Sequence, residues 1–435
     1  DVMVQARPYL DELGVHVEAC TNESSAAAML AASIMYPVRG AVTWKSVVGT
    51  NVASDALSNL ASPGVMGGAV IVVGEDYGEG SSIIQERTHA FAMKSQIWLL
   101  DPRPNLPSIV NAVEQGFELS EASQTPVMLQ LRIRACHVHG RFHCKDNVAP
   151  VISTHHGIEV PRFDYAKVNL PPSTYEHERQ KVEQRWPAAV RYIQEAGLNE
   201  VFEGEEESVG LIVAGGLYNG VIRALQLLGL ADAFGRSRIA IYVLNVVYPL
   251  VSQEVIDFCK SRREVLVVEE GQPNYIEDAI AAILRKDGQA THLHGKGILP
   301  VSGEYTGEVL LNAMARFLEA AQPRGLCDAV EAKQRFGQIK PFERAGAQGG
   351  HHRGVVAQLG RRRDLDLDAA IGFGLGHFGH LDGGFVARVA RRGTMAQGEL
   401  DALGRGETGG SEQSGGEHRA ADQESSVHRL SMVLW

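Results

Sequence analysis

The sequence predicts an α/β protein whose strands form parallel sheets that are covered by helices on both faces. Helical and strand-like patterns alternate through residues 1–150 and again through residues 206–322. Some strand-like runs are continuously apolar, as in "GGAVIVVGED" and "TPVMLQLRI", which is typical of strands buried on both faces. Repeated strand and helix units of this kind favour a doubly covered parallel sheet.

The first unit, residues 1–150, begins with the strand "VHVEA" and a small-residue helix that starts at Glu23. The strand "GAVTW", the helix "NVASDALSNLA" and the buried strand "GGAVIVVGED" follow. A helix with a serine start, "SSIIQERTHAFAMKS", precedes the helix "NLPSIVNAVEQGFELS" and the buried strand "TPVMLQLRI". These elements predict one domain.

Residues 151–205 are rich in Pro, His, Glu and Arg and predict a linker with one polar helix, "TYEHERQKVEQRWPAAVRYIQEAG". Residues 206–322 predict a second, smaller α/β domain. Its strands are "SVGLIVAGG", "RIAIYVLN" and "REVLVVEEG", and its helices are "LYNGVIRALQLLG", "SQEVIDFCKS" and "YIEDAIAAILRK". Residues 323–435 show no apolar periodicity. We therefore expect either a disordered tail or a sequence translated outside the natural reading frame.

Net charge, apolar run length and cysteine count argue against several classes of function. A net charge of −11 argues against nucleic acid or an anionic membrane as the main partner. No apolar run approaches the roughly 18 residues of a membrane span. Five scattered cysteines form no disulfide framework, which predicts a reducing, cytoplasmic setting.

Glu23 is the first candidate functional residue, in "TNESSAAAMLAAS". A glutamate in the first turn complements the positive end of a helix. The Ala and Ser residues that follow would also let another group pack closely against this helix. Local sequence leaves open whether Glu23 is a helix-end charge or a chemical group.

Three further motifs are candidate ligand sites. The loop in "VVGEDYGEGSS" follows a strand, the usual ligand position in an α/β sheet, but Glu75, Asp76 and Glu79 would repel a phosphate. The turn "AGGLYNG" lacks an acidic ribose signal, which disfavours a dinucleotide. "CHVHGRFHC" (136–144) lacks a second ligand pair, so we expect a polar strand exit rather than a metal site.

Longer stretches resemble the alpha subunit of indolepyruvate:ferredoxin oxidoreductase, a thiamine-diphosphate enzyme family. "TNESSAAAMLAASI", "VTWKSVVGTNVASDALSNLASPGVMGGAVIVVGEDYGEGSS" and "ELSEASQTPVMLQLRIRACHVHG" resemble its pyrimidine-binding domain. "LIVAGGLYNGVIRAL", "VLNVVYPL", "LVVEEGQPNYIED" and "HGKGILPVSGEYTGEVL" resemble its transketolase C-terminal-like domain. The resemblance covers roughly residues 1–322 and implies a thiamine-diphosphate-binding fold.

The resemblance also implies a site. In the family a glutamate at the start of such a helix contacts the aminopyrimidine ring of thiamine diphosphate, and Glu23 matches it as the catalytic residue. The remaining cofactor-binding candidates lie in the matching loop "WKSVVGTN" and at the end of the last strand. They are Lys45, Ser46, Gly49, Asn51 and His137.

The implied reaction is oxidative decarboxylation of an aryl 2-oxoacid with CoA, giving an aryl-acetyl-CoA, CO₂ and reduced ferredoxin. The implied cofactors are thiamine diphosphate, Mg²⁺ and [4Fe–4S] clusters, and the partners are a beta subunit and ferredoxin in a hetero-oligomer. Two alternatives stay open: a subunit acting on another 2-oxoacid, and a non-catalytic α/β scaffold.

Departures from the family predict a partial chain that does not turn over alone. No Gly-Asp dipeptide is present to bind diphosphate and Mg²⁺, and no CxxCxxC group is present for iron–sulfur clusters. Nothing before Asp1 supplies the family's Gly-Pro-Thr loop. The resemblance stops near Cys327, which is why we favour a change of reading frame for residues 323–435.

Overall fold

The computed structural model describes residues 2–77, 85, 87–136, 138–146, 163–323 and 431–434. Of the predicted tail, 323–435, only Pro323 and the last strand therefore fall within the description. Within these ranges no helix combines the length and the apolar character needed to cross a membrane.

The helices and strands are numbered in chain order. The helices are α1 (Val2–Glu12), α2 (Glu23–Leu30), α3 (Ser54–Ala61), α4 (Thr88–Ser95), α5 (Leu106–Ser123), α6 (Ile133–Cys136), α7 (Ser173–Gln180), α8 (Trp186–Glu195), α9 (Tyr218–Leu227), α10 (Ser252–Cys259), α11 (Tyr275–Asp287) and α12 (Gly307–Ala321). The strands are β1 (Val17–Cys20), β2 (Gly40–Lys45), β3 (Ala69–Glu75), β4 (Trp98–Leu100), β5 (Val127–Arg132), β6 (Glu200–Phe202), β7 (Glu206–Ala214), β8 (Ile239–Leu244), β9 (Val246–Tyr248), β10 (Glu264–Val268), β11 (His292–His294) and β12 (Ser431–Leu434).

The first sheet has seven strands in the order β1-β12-β2-β3-β5-β4-β9. Its centre is parallel, because β2, β3, β5 and β4 all pair in the same direction. The strand β12 is antiparallel to β1 and β2, and β9 is antiparallel to β4. The apolar residues of β3 and β5 are buried as their continuous runs predict.

The second sheet has five strands in the order β11-β10-β7-β8-β6. All its pairs are parallel except β6 with β8. Every residue of β8 is buried, and α9 packs against α12 beside the sheet. The predicted α/β class, with parallel-dominant sheets, is confirmed.

The polar helical stretch after residue 163 packs onto the first sheet. Trp186, at the start of α8, meets Trp98 of β4 edge to face, with ring centroids 5.5 Å apart. The buried guanidinium of Arg185 donates to the carbonyl oxygens of Ala61 and Ser62 at 3.0 and 2.8 Å. The aromatic contact and the hydrogen bonds from Nη1 and Nη2 of Arg185 therefore anchor this segment, while Nε of Arg185 is buried without a partner.

The two sheets meet where β7 ends in a glycine pair. A Cβ on Gly215 would lie 2.1 Å from the carbonyl oxygen of Asp101, and one on Gly216 would lie 2.4 Å from Nε of Arg132. Only glycine permits this approach of backbone to backbone and to a buried guanidinium. The turn "AGGLYNG" thus owes its glycines to contact between the sheets.

We predict that Gly216→Ala lowers the urea midpoint of unfolding, because the added methyl must displace Arg132 or Asp101. Overpacking of this kind costs about 1–3 kcal/mol. Gly307→Ala is the matched control, since its added Cβ meets nothing within 4 Å at the start of α12. Equal midpoints for the two variants would contradict a tight junction at Gly216.

Candidate functional site

The carboxyl ends of the first sheet's parallel strands bring charged groups to one edge. Lys45 ends β2, Glu75 ends β3, Arg132 ends β5, and Asp101 follows β4 directly. Glu75 and Arg132 are register partners on neighbouring strands. All except the half-buried Lys45 are buried. This edge is the usual ligand position in an open α/β sheet.

Glu23 is the first residue of α2, and the residue before it caps the helix. Oδ1 of Asn22 accepts from the backbone nitrogen of Ser25 at 2.8 Å, so the Glu23 carboxylate is not needed as a cap. Glu23 is only 7% exposed. No hydrogen bond or ion pair to its carboxylate occurs among the residues that the structure describes. Neither oxygen of Glu23 is among the fully buried polar atoms that lack a partner, so the carboxylate of this largely buried residue stays accessible to solvent or to a bound group.

The small residues of α2 have the expected packing role. Ala26 and Ala27 are fully buried, and the helix contacts α3 and the turn formed by Ser46–Thr50. Glu23 and the predicted loop "WKSVVGTN" thus lie on neighbouring elements. The turn is a single π-helical turn, a feature that is frequent at functional sites.

The loop residues have their own partners. Nζ of Lys45 lies 3.0 Å from Oδ2 of Asp76, and Oγ of Ser46 donates to Oε2 of Glu75 at 3.0 Å. The exposed Asn51 donates to the carbonyl oxygen of Val47 at 2.7 Å. Gly49 accommodates a ring, because a Cβ there would lie 2.4 Å from Cδ1 of Trp44.

His137, the remaining predicted residue, lies outside the described residues, as does Glu79. The described cysteines beside His137, Cys136 and Cys144, are exposed, and so are His139 and His143. In the part of "CHVHGRFHC" that the structure describes, no three potential ligands converge as a metal site requires.

Glu75 is a buried carboxylate, although the sequence predicts it only as a charge that would repel phosphate. Its Oε2 accepts from Ser46, from the backbone nitrogen of Thr88 at 3.1 Å and from the Thr88 hydroxyl. Its Oε1 is buried without a hydrogen-bond partner. Burial raises the pKa of Glu75 to about 7, against the opposing hydrogen bonds from Thr88 and Ser46.

Arg132 joins the two sheets electrostatically. Its guanidinium lies 2.6 Å from Oδ2 of Asp101 and 2.5 Å from Oε2 of Glu270, which follows β10. The ring of Tyr77 stacks between Arg132 and Arg87, whose guanidinium carbons lie 4.8 and 4.6 Å from its centroid. A cavity of about 10 Å³ among these residues has room for about one water. Among the described residues, these side chains therefore pack closely around a cavity that holds little more than a water.

The sequence holds a signal for this junction. An ionisable residue stands directly at the end of an apolar strand in "VVGED" and in "LQLRI". Parallel strands align such residues at one edge. This signal indicates a ligand loop, and the pairing of Glu75 with Arg132 follows only from the strand register.

Comparison with known proteins adds independent information. A family model described as the indolepyruvate ferredoxin oxidoreductase middle domain matches residues 198–286, which include β6 to β10. Indolepyruvate oxidoreductase subunit IorA of Methanothermobacter marburgensis is 29% identical over 306 residues, which is 69% of this chain and 47% of that protein. The resemblance inferred from sequence is confirmed.

A second IorA protein shows a similar degree of identity. IorA of Methanothermobacter thermautotrophicus is 28% identical over 354 residues, 81% of this chain and 54% of that protein. The chain thus spans about half the length of these IorA proteins. Among solved structures, a 2-oxoglutarate:ferredoxin oxidoreductase from Magnetococcus marinus matches with a TM-score of 0.41 and 14% identity, over 70% of this chain and 65% of that chain. That structural match is too distant to support an argument.

We predict that Glu75 makes stability fall as pH rises from about 4.5 to about 7. Its ordinary pKa is 4.5 and its folded pKa is about 7, so in this window the native state holds a proton that the unfolded state has released. The contribution is complete below pH 4.5, and its loss by pH 8 is on the order of 3 kcal/mol. Urea unfolding across this range measures it.

Glu75→Gln should remove this slope, because the amide does not titrate. Glu178→Gln is the control, since Glu178 is exposed on α7, and it should keep the wild-type slope. Parallel curves for wild type and Glu75→Gln would show that Glu75 is already ionised in the folded protein at pH 5.

Proposed function

We propose that this chain is part of the alpha subunit of an aryl-pyruvate ferredoxin oxidoreductase. The complete enzyme would decarboxylate indolepyruvate or phenylpyruvate oxidatively, with CoA, to an aryl-acetyl-CoA, CO₂ and reduced ferredoxin. Support comes from the similarity to IorA subunits across most of the chain. A subunit for another 2-oxoacid remains the alternative.

The observation that carries the proposal is the state of the Glu23 carboxylate. The residue is largely buried, it stands at the start of a helix that Asn22 already caps, and no described residue pairs with its carboxylate. The oxygens are not fully buried, so the carboxylate can share a proton with a bound ligand. The aminopyrimidine of thiamine diphosphate has that chemistry.

The residues present fit one half of thiamine diphosphate. Glu23 would hold the aminopyrimidine and exchange a proton with it, and the turn from Lys45 to Asn51 would line the same side. When bound, the cofactor supplies an electron sink for decarboxylation. Ser46 and Lys45 already pair with Glu75 and Asp76, so we assign them to shaping the turn.

The other half of the cofactor needs residues that this sequence lacks. Without a Gly-Asp motif, diphosphate and Mg²⁺ would be held by another part of the enzyme, and the [4Fe–4S] clusters likewise. We therefore propose a hetero-oligomer with a beta subunit, with ferredoxin as the electron acceptor, in the cytoplasm. We also propose that residues 1–150 form the pyrimidine-binding domain and 206–322 the transketolase C-terminal-like domain, joined by 151–205.

We predict that Glu23→Gln lowers kcat/KM by about 100- to 10,000-fold, the usual contribution of a positioned acid or base. The amide keeps the size of the side chain but cannot exchange a proton with the cofactor ring. The measurement is ferredoxin or viologen reduction by indolepyruvate and CoA, in an assembled enzyme that carries this sequence. Glu18→Gln on β1 is the control, because Glu18 is exposed.

Near-normal turnover by Glu23→Gln would refute the role of Glu23. A panel of 2-oxoacids decides the substrate class: faster reduction with a small aliphatic 2-oxoacid would overturn the aryl preference. A third outcome favours the scaffold alternative, namely no turnover and no change in Tm on adding thiamine diphosphate and Mg²⁺ to the assembled complex.

A further inference from the structure

Three potential metal ligands converge at the edge of the second sheet, far along the strands from the junction at Arg132. Glu264 begins β10, and His292 begins the edge strand β11 as its register partner. His294 stands two residues further on and therefore shares a face of the sheet with His292. The carboxyl end of β10, which leads to Glu270, points the other way.

The geometry of this cluster is that of a three-ligand site. Nδ1 of His292 and Nε2 of His294 each lie 2.8 Å from the same atom, Oε2 of Glu264. The three ligand atoms lie within 4.8 Å of one another. The two imidazole rings stand at 71° with centroids 4.4 Å apart, so their nitrogens approach a common point from different directions.

Neighbouring side chains hold Glu264 and His294 in place, whereas His292 is exposed to solvent. His294 is 12% exposed and Glu264 is 16% exposed, and the His294 ring packs edge to face on Phe317 of α12 at 5.4 Å. His292 is 65% exposed, which leaves room for water ligands. Nε of Arg263 lies 3.4 Å from Oε1 of Glu264, on the oxygen that the histidines do not contact.

We propose that Glu264, His292 and His294 bind a divalent transition metal, with Zn²⁺ as the preferred ion. Two imidazole nitrogens and one carboxylate oxygen are a common donor set for zinc, which takes solvent in its remaining position. Magnesium and calcium prefer sets made of oxygen alone. The ion would tie β11, a strand of three residues at an exposed edge, to β10.

This site is independent of the proposed oxidoreductase function. It lies at the amino ends of β10 and β11, whereas Glu75 ends a strand of the first sheet and Glu23 begins α2, which packs on that sheet. Its test is therefore direct metal binding by the chain, and turnover is not needed as a readout.

Calorimetric titration of the chain with Zn²⁺ should show one binding site that His292→Ala and Glu264→Gln lose. Loss of even an outer-shell partner costs about 10- to 100-fold in metal affinity, so loss of a ligand should weaken this site by at least about 100-fold. His292 is exposed, so its replacement should leave the fold intact, and circular dichroism checks this. His16→Ala is the control, since His16 contacts Glu18 at 3.2 Å in a pair without a second histidine.

Co²⁺ in place of Zn²⁺ separates this site from the cysteines of "CHVHGRFHC". Co²⁺ bound at Glu264, His292 and His294 should show visible d–d bands without the near-ultraviolet thiolate charge-transfer bands, and the d–d bands should vanish in His292→Ala. Equal Zn²⁺ stoichiometry and affinity in wild type and His292→Ala would overturn the proposal. So would a wild-type chain that binds no Zn²⁺, in which case the histidines only donate hydrogen bonds to Glu264.

Discussion

The contact between the two sheets depends on one buried cation. Arg132 ends a strand of the first sheet and pairs with Asp101 of that sheet and Glu270 of the second. Removing one member of such a network leaves uncompensated charge in a low-dielectric interior, which costs far more than the pair gains over an apolar equivalent. Gly215 and Gly216 lack the Cβ atoms that would clash with Asp101 and Arg132, so the second sheet comes close enough for this pairing.

Two largely buried carboxylates near the carboxyl edge of the first sheet differ in their partners. Glu75 is held by Ser46 and Thr88 beside Arg132, in a cavity that admits about one water. Glu23 lies on a neighbouring helix and has no described partner. We propose that the first carboxylate supports the junction and that the second is available for chemistry. A ligand that interacts with Glu23 therefore meets a turn already fixed by Glu75.

The two ends of the strands in the second sheet also have different roles. Its carboxyl edge, through Glu270, serves the junction with the first sheet. At the amino ends of its strands, Glu264, His292 and His294 lie together, and of the three only His292 is exposed. The proposed metal ion would fasten the short edge strand at this end, while Arg132 fastens the other end of the sheet.

The sequence by itself determined the α/β class and the start of α2 at Glu23, because strand burial and helix capping follow from neighbouring residues. It also carried the family resemblance, which depends on the order of residues and not on contacts. It did not reveal that Asn22 caps α2 and leaves Glu23 free of that task, since both residues are plausible caps in isolation. Only the tertiary structure paired Glu75 with Arg132 and Glu264 with two histidines. The Glu264 contacts join residues 28 and 30 positions apart. Parallel strand register, which local pattern does not specify, brings both sets of residues together.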